Sequence, residues 1–120
     1  MDNPSPAASL CIQGTQAEYQ GRIEAARQLY WQAWEAARDD YEACIGAHYV
    51  AHLQERAQDQ LLWNQEALAR AEKVGDDRVR TFYPSLYLNL GRSHELLGNL
   101  VEAQKFYDLA AELGVKHQPE

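Results

Sequence analysis

Apolar residues recur at three- and four-residue spacing along most of the chain. Nowhere do they alternate with polar ones for long enough to argue a strand. The pattern predicts six helices separated by short breaks. The first runs over Pro6–Tyr19, with Ser5 as its N-cap and Pro6 at its first position. Gln20-Gly21 closes it. An alanine-rich second helix covers 23–38 and stops at Asp39-Asp40, and a third covers 41–54. The fourth covers 58–74 and ends on Gly75, a residue suited to the left-handed conformation that closes helices. Asp76-Asp77 caps a fifth segment ending at Leu97. Gly98-Asn99 makes the next turn, and the sixth helix, 101–113, stops at Gly114. Residues 115–120 are expected to fray.

Pro84 lies inside the fifth segment. It lacks an N–H, its ring crowds the preceding turn, and it biases Tyr83 away from helix. Either a short helix over 77–82 gives way to a fresh start at Pro84, or one continuous helix bends there.

Six helices on short turns make three hairpins, approximately 6–39, 40–75 and 76–114, within a single domain. Ala33, Ala67 and Ala110 fall at equivalent points, 34 and then 43 residues apart. The last hairpin reads Tyr87-Leu88-Asn89-Leu90-Gly91, then His94, Gly98, Ala103, Tyr107 and Ala110. The first holds Gly14, Ala17, Gly21, Ala26, Tyr30 and Ala33 in matching columns. The middle one departs most. Cys44, Ala47, His48, Ala51 and Ala67 keep register, but Glu55 replaces the turn glycine, Gln60 an alanine and Asn64 an aromatic. A shift of register that turns Leu61 and Trp63 inward would accommodate this. The nine extra residues before the third hairpin fall around 75–83.

This series of glycines, alanines and tyrosines resembles the tetratricopeptide repeat (TPR), a helical hairpin of 34 residues. The segment Leu88–Glu95 is also similar to small bacterial proteins of that family. The resemblance implies an all-α fold, an α-solenoid of three antiparallel hairpins in a right-handed superhelix. It also implies binding of a protein or peptide partner in a concave groove lined by the first helix of each hairpin. Carried over column by column, the groove would be lined by Cys11, Thr15, Glu18 and Tyr19, then Ile45, Tyr49, His52 and Leu53, then Ser85, Leu88, Asn89, Arg92 and Glu95. Asn89 stands where family members hold a ligand's main chain, with a hydrogen bond between helices as its alternative role. Arg92 suits a carboxylate. The lysines that complete a carboxylate clamp in chaperone-binding members are absent.

Composition narrows the function classes. The 120 residues are 46% hydrophobic and 24% charged, a globular balance. The net charge of −7 is spread along the chain without a basic patch, which argues against nucleic acid. No run approaches the ~20 apolar residues of a membrane span, and Met1-Asp2-Asn3-Pro4 does not begin like a secretory signal. A cytoplasmic protein is expected.

Candidate chemistry is sparse. Cys44, His48 and His52 share a helix face at four-residue spacing, but no fourth zinc ligand accompanies them. His94-Glu95-Leu96-Leu97-Gly98 starts like a zincin helix and has Gly98 where the second histidine is required. Cys11 and Cys44 sit on neighbouring first helices, too widely spaced for a ready disulfide. No phosphate loop or nucleophile elbow occurs. We therefore expect no metal, no cofactor and no enzymatic activity. Trp31, Trp34 and Trp63 all lie on second helices, where one could face a partner. Phe106 or Leu109 on the sixth helix would form an exposed patch favouring a homodimer.

Overall fold

The computed structural model describes residues 5–114; the expected fraying of 115–120 lies outside the described residues. Within them the chain is all-helical, with seven helices and no strand. They are α1 (Pro6–Tyr19), α2 (Ile23–Glu35), α3 (Asp40–His52), α4 (Ala57–Val74), α5 (Asp77–Arg80), α6 (Tyr83–Leu96) and α7 (Leu100–Glu112). Among the described residues no helix is long and apolar enough to cross a membrane.

The helix ends follow local chemistry. Ser5 Oγ accepts from the Ala8 N–H at 3.1 Å, with Pro6 in the first turn. Asp39 caps α3 by accepting from Glu42 N–H at 2.9 Å. This capping, with Arg38 drawn to Glu42 at 3.0 Å, ends α2 at Glu35 and not at 38. Gly75 closes α4 in the left-handed region, φ 64°. Asp76 then caps α5 by accepting from Arg78 N–H at 2.9 Å. The fifth segment is split: α5 lasts four residues, and α6 begins at Tyr83, so that Pro84 sits in its first turn, where its missing N–H is harmless.

Three pairs, α1 with α2, α3 with α4, and α6 with α7, pack as hairpins. α2 also touches α3, and α4 touches α6. Two of the hairpins share one lock. Gly14 lies against the Tyr30 ring and Gly91 against the Tyr107 ring, and a Cβ at either glycine would run into the ring. The tyrosine hydroxyl then donates to a carboxylate one turn past the glycine. Tyr30 donates to Glu18, and Tyr107 donates to Glu95 at 2.6 Å. In the middle hairpin the corresponding positions are His48, His52 and Asn64. Asn64 is buried beside the buried Ala67 and Ala71, so α4 is not shifted in register; Trp63 and Leu61 stay half-buried.

Trp63 instead stands edge-on to both Trp31 and Trp34, at 5.5 and 5.1 Å between ring centres. Of the three, Trp31 is the exposed one. Arg70 covers Trp34 at 5.3 Å and pairs with Asp40 and Glu66. The inserted α5 buries Val79 in a cluster with Cys44, Ala47, Ala67, Ala71 and Leu86. Phe82 stacks on Tyr41, and Arg78 lies over the Tyr41 ring at 4.9 Å. The extra residues thus close the gap between the second and third hairpins. On α7 the expected patch is absent: Phe106 and Leu109 are half-buried, Phe106 against the His94 ring. Four exposed apolar side chains gather instead at the α6–α7 turn, namely Leu96, Leu97, Leu100 and Val101.

Candidate functional site

The candidate site runs along α1, α3 and α6, with His48 at its centre. His48 sits in the glycine column of its hairpin. An imidazole fits there because the facing position on α4 is Asn64 and not tyrosine. His48 borders three cavities. The first, about 310 Å³, lies towards α5 and α6 and is bordered by Ile45, Tyr49, Phe82 and Ser85. The second, about 420 Å³, lies towards α1 and is bordered by Thr15, Glu18, Tyr19 and His52. The third, about 300 Å³, lies between α3, α4 and α6 and is bordered by His52, Asn64, Asn89, Arg92 and Ser93.

Polar side chains fix the walls. Thr15 Oγ1 donates to the Cys11 carbonyl at 3.0 Å and lies 3.3 Å from the Tyr30 hydroxyl. Glu18 binds Tyr30 through one oxygen and lies 3.1 Å from His52 Nε2 through the other, joining α1 to α3. Tyr49 stacks on Tyr30 at 4.9 Å and meets the His48 ring edge-on at 5.3 Å. Asn89 Nδ2 lies 3.5 Å from His48 Nδ1. Burial holds the His48 pKa below its ordinary 6.5, and the neighbouring His52 adds to the effect. The imidazole is therefore neutral near pH 7.

The groove residues selected by resemblance divide. Thr15, Glu18, Tyr19, Ile45, Tyr49, His52, Ser85, Asn89 and Arg92 border these cavities. Glu95 does not join them: its carboxylate is taken by the Tyr107 hydroxyl, whose pKa rises to about 12 through burial and this hydrogen bond. Cys11 belongs to the core, at 5% exposure, and Leu53 packs on the cluster around Tyr30. Leu88 is half-buried and borders none of the three cavities. Conversely His48, Asn64 and Ser93 shape the site without having been assigned to it. Their signal was legible: histidine in a glycine column and asparagine in the facing tyrosine column are matched replacements.

The candidate metal groupings are dispersed. Cys44 is in the core, His48 faces Asn89, and His52 faces Glu18. His94 is buried, stacked on Phe106, with Nδ1 3.2 Å from Asn99 Nδ2 at the turn. Among the described residues no three His, Cys, Asp or Glu side chains gather as metal ligands would. Cys11 and Cys44 are unbridged, and burial pushes each thiol up to about 11.

No protein-family model, curated protein or solved structure matches the chain at a significant level.

Proposed function

We propose that the chain is a non-enzymatic binding module. Its three hairpins stack in the manner of tetratricopeptide repeats, and an extended segment of a partner protein lies along α1, α3 and α6. One observation carries the reading: three cavities meet at His48, and most of the side chains around them come from α1, α3 and α6, the first helices of successive hairpins. The half-buried ring of Tyr49 offers an apolar anchor, and Arg92 offers a cation without an ion-pair partner among the described residues. Two buried, unbridged thiols suit a reducing, cytoplasmic compartment. Peptides selected from a random library on the immobilised chain test the proposal. They are expected to perturb the amide resonances of Tyr49, His52, Asn89 and Arg92, and to bind the Asn89→Ala, Arg92→Ala double variant more weakly. Selected peptides that bind the double variant equally well would overturn it, as would a library that yields none.

A second reading, self-association, is favoured by the exposed turn between α6 and α7. Leu100 and Val101 are 66% and 83% exposed, and a second copy could cover them in a two-fold dimer.

A further inference from the structure

The cavity between α3, α4 and α6, about 300 Å³, differs in charge from the chain around it. Three bases border it, His48, His52 and Arg92, and among the described residues no carboxylate does. Where other arginines border a cavity, acids border it with them: Asp39 and Asp40 beside Arg38 and Arg70, and Glu24 and Glu55 beside Arg27. In a chain of eighteen acidic and eleven basic residues, composition alone does not produce this exclusion.

The bases are also within reach of a ligand. Arg92 is exposed and pairs with no carboxylate among the described residues. The acid one turn further along α6, Glu95, is held by the Tyr107 hydroxyl and does not border the cavity. His48 turns Nδ1 towards Asn89 at 3.5 Å, while its Nε2 has no hydrogen-bond partner among the described residues and is not sealed from solvent. A cation entering here would face three bases, and an alkyl group would gain nothing from them. An oxyanion suits all of them, and a guanidinium meets one with two parallel N–H bonds.

The same cavity links the anion to a proton. At pH 7 His48 is neutral, because burial and the neighbouring His52 oppose its charge. The remaining groups that face it give that charge little relief. From α1 and α2 come Glu18, already bound by Tyr30 and His52, and the phenols Tyr19 and Tyr30. α3 adds Tyr49 and Cys44, α4 the amides Gln60 and Asn64, and α6 the cation Arg92. An anion in the cavity reverses this balance, since an opposite charge within about 4–6 Å favours the protonated ring.

We propose that this cavity is an oxyanion site and that filling it takes up a proton at His48, so that a carboxylate or phosphate on the bound segment is held more tightly as the pH falls. The inference rests on the groove reading for the source of that anion, and on Arg92 and His48 for the site itself.

The test uses two small anions that keep their charge over the range examined, acetate for a carboxylate and sulfate for a phosphate. Each is titrated into the isotope-labelled full chain at pH 7.5 and 6.0, with sodium chloride adjusted to hold the ionic strength constant. The Arg92 Nε–H and the His48 ring signals report on the site. At least one anion is expected to saturate, and the one that does so at the lower concentration identifies the source as carboxylate or phosphate. Its affinity should rise at least about threefold from pH 7.5 to 6.0, against a limit of about tenfold per pH unit for one proton taken up per anion. Arg92→Gln should weaken binding at both pH values. His48→Gln should remove the rise on acidification, and His52→Gln should keep it. The inference is overturned if neither anion saturates, if the affinity ignores pH, or if the rise survives His48→Gln. Peptides captured by a chain that binds neither anion would remove this site and leave the groove. An anion that binds where the library yields no peptide would remove the groove and leave the site.

Discussion

Replacing Gly14 or Gly91 by alanine sets two known effects against each other. Alanine in a helix interior is favoured over glycine by about 0.8–1 kcal/mol. The new Cβ, however, would stand 2.7 Å from Cδ1 of Tyr30 at position 14, and 2.6 Å from Cε1 of Tyr107 at position 91. Real Cβ atoms do not come so near, so the ring or the helix has to move. Overpacking of this kind destabilises by about 1–3 kcal/mol. Moving the ring also strains the hydroxyl's bond to Glu18 or Glu95, which as a hydrogen bond to a charged group contributes about 1.5–3 kcal/mol. The steric effect therefore wins. The two sites should differ in degree, because Tyr30 is 1% exposed and has no exit whereas Tyr107, at 8%, lies nearer the surface. We expect Gly14→Ala to destabilise by about 2–3 kcal/mol and Gly91→Ala by about 1–2 kcal/mol. Urea unfolding followed by far-ultraviolet circular dichroism measures both. In a Tyr107→Ala background the ring is gone, and Gly91→Ala should stabilise by about 1 kcal/mol. A stabilising Gly91→Ala in the presence of Tyr107, or the same effect in both backgrounds, would refute the reasoning.

Three other outcomes are expected. His48 has a folded-state pKa below its unfolded value, so its contribution is complete above about pH 6.5 and is lost as the pH falls towards the folded value. The urea midpoint should drop between pH 7 and 5, and His48→Gln should flatten that slope; an unchanged slope would refute the assignment. Cys11 and Cys44, with thiols raised to about 11, should resist a disulfide reagent at pH 8 and react once urea is added, whereas rapid labelling of the native chain would contradict their burial. If the α6–α7 turn is an interface, Val101→Glu should convert a dimer to a monomer in sedimentation, and a wild-type monomer at tens of micromolar would remove that reading.

Helix punctuation was legible in the sequence because capping is local. Ser5-Pro6 and Gly75-Asp76 each act within one turn of their own position, and the structure places all four as read. The end of α2 was misplaced because Arg38 looks helical until its pairing with Glu42 is known. The site was harder to read, since burial depends on what faces a residue across a hairpin. Glu95 and Glu18 share a column, yet Glu18 borders a cavity and Glu95 only serves its tyrosine. Asn64 suggested a slipped register because a buried amide is unfavourable alone; the hydroxyl of Ser93, 29 residues away, makes it tolerable. Phe106 and Leu109 looked surplus on α7 until His94 offered its face to Phe106.

The lock shared by the outer hairpins also bears on the order in which the chain acquires its structure. Each tyrosine reaches a carboxylate only 12 residues before it, so both locks close over short stretches of chain at small entropic loss. The middle hairpin lacks that lock. Its turn is tied by Gln60 to the Gln54 carbonyl, but its helix-to-helix pair, Arg70 with Asp40, closes over 30 residues, and His52 to Glu18 and Asn64 to Ser93 reach outwards across 34 and 29. Short-range closures precede long-range ones in refolding. The two ends are therefore expected to form as separate nuclei, with the centre templated between them. In pulse-labelled hydrogen exchange the amides of α3 and α4 should gain protection last. The segment that carries the three cavities would then be the latest to solidify, and the first to loosen when the chain is stressed.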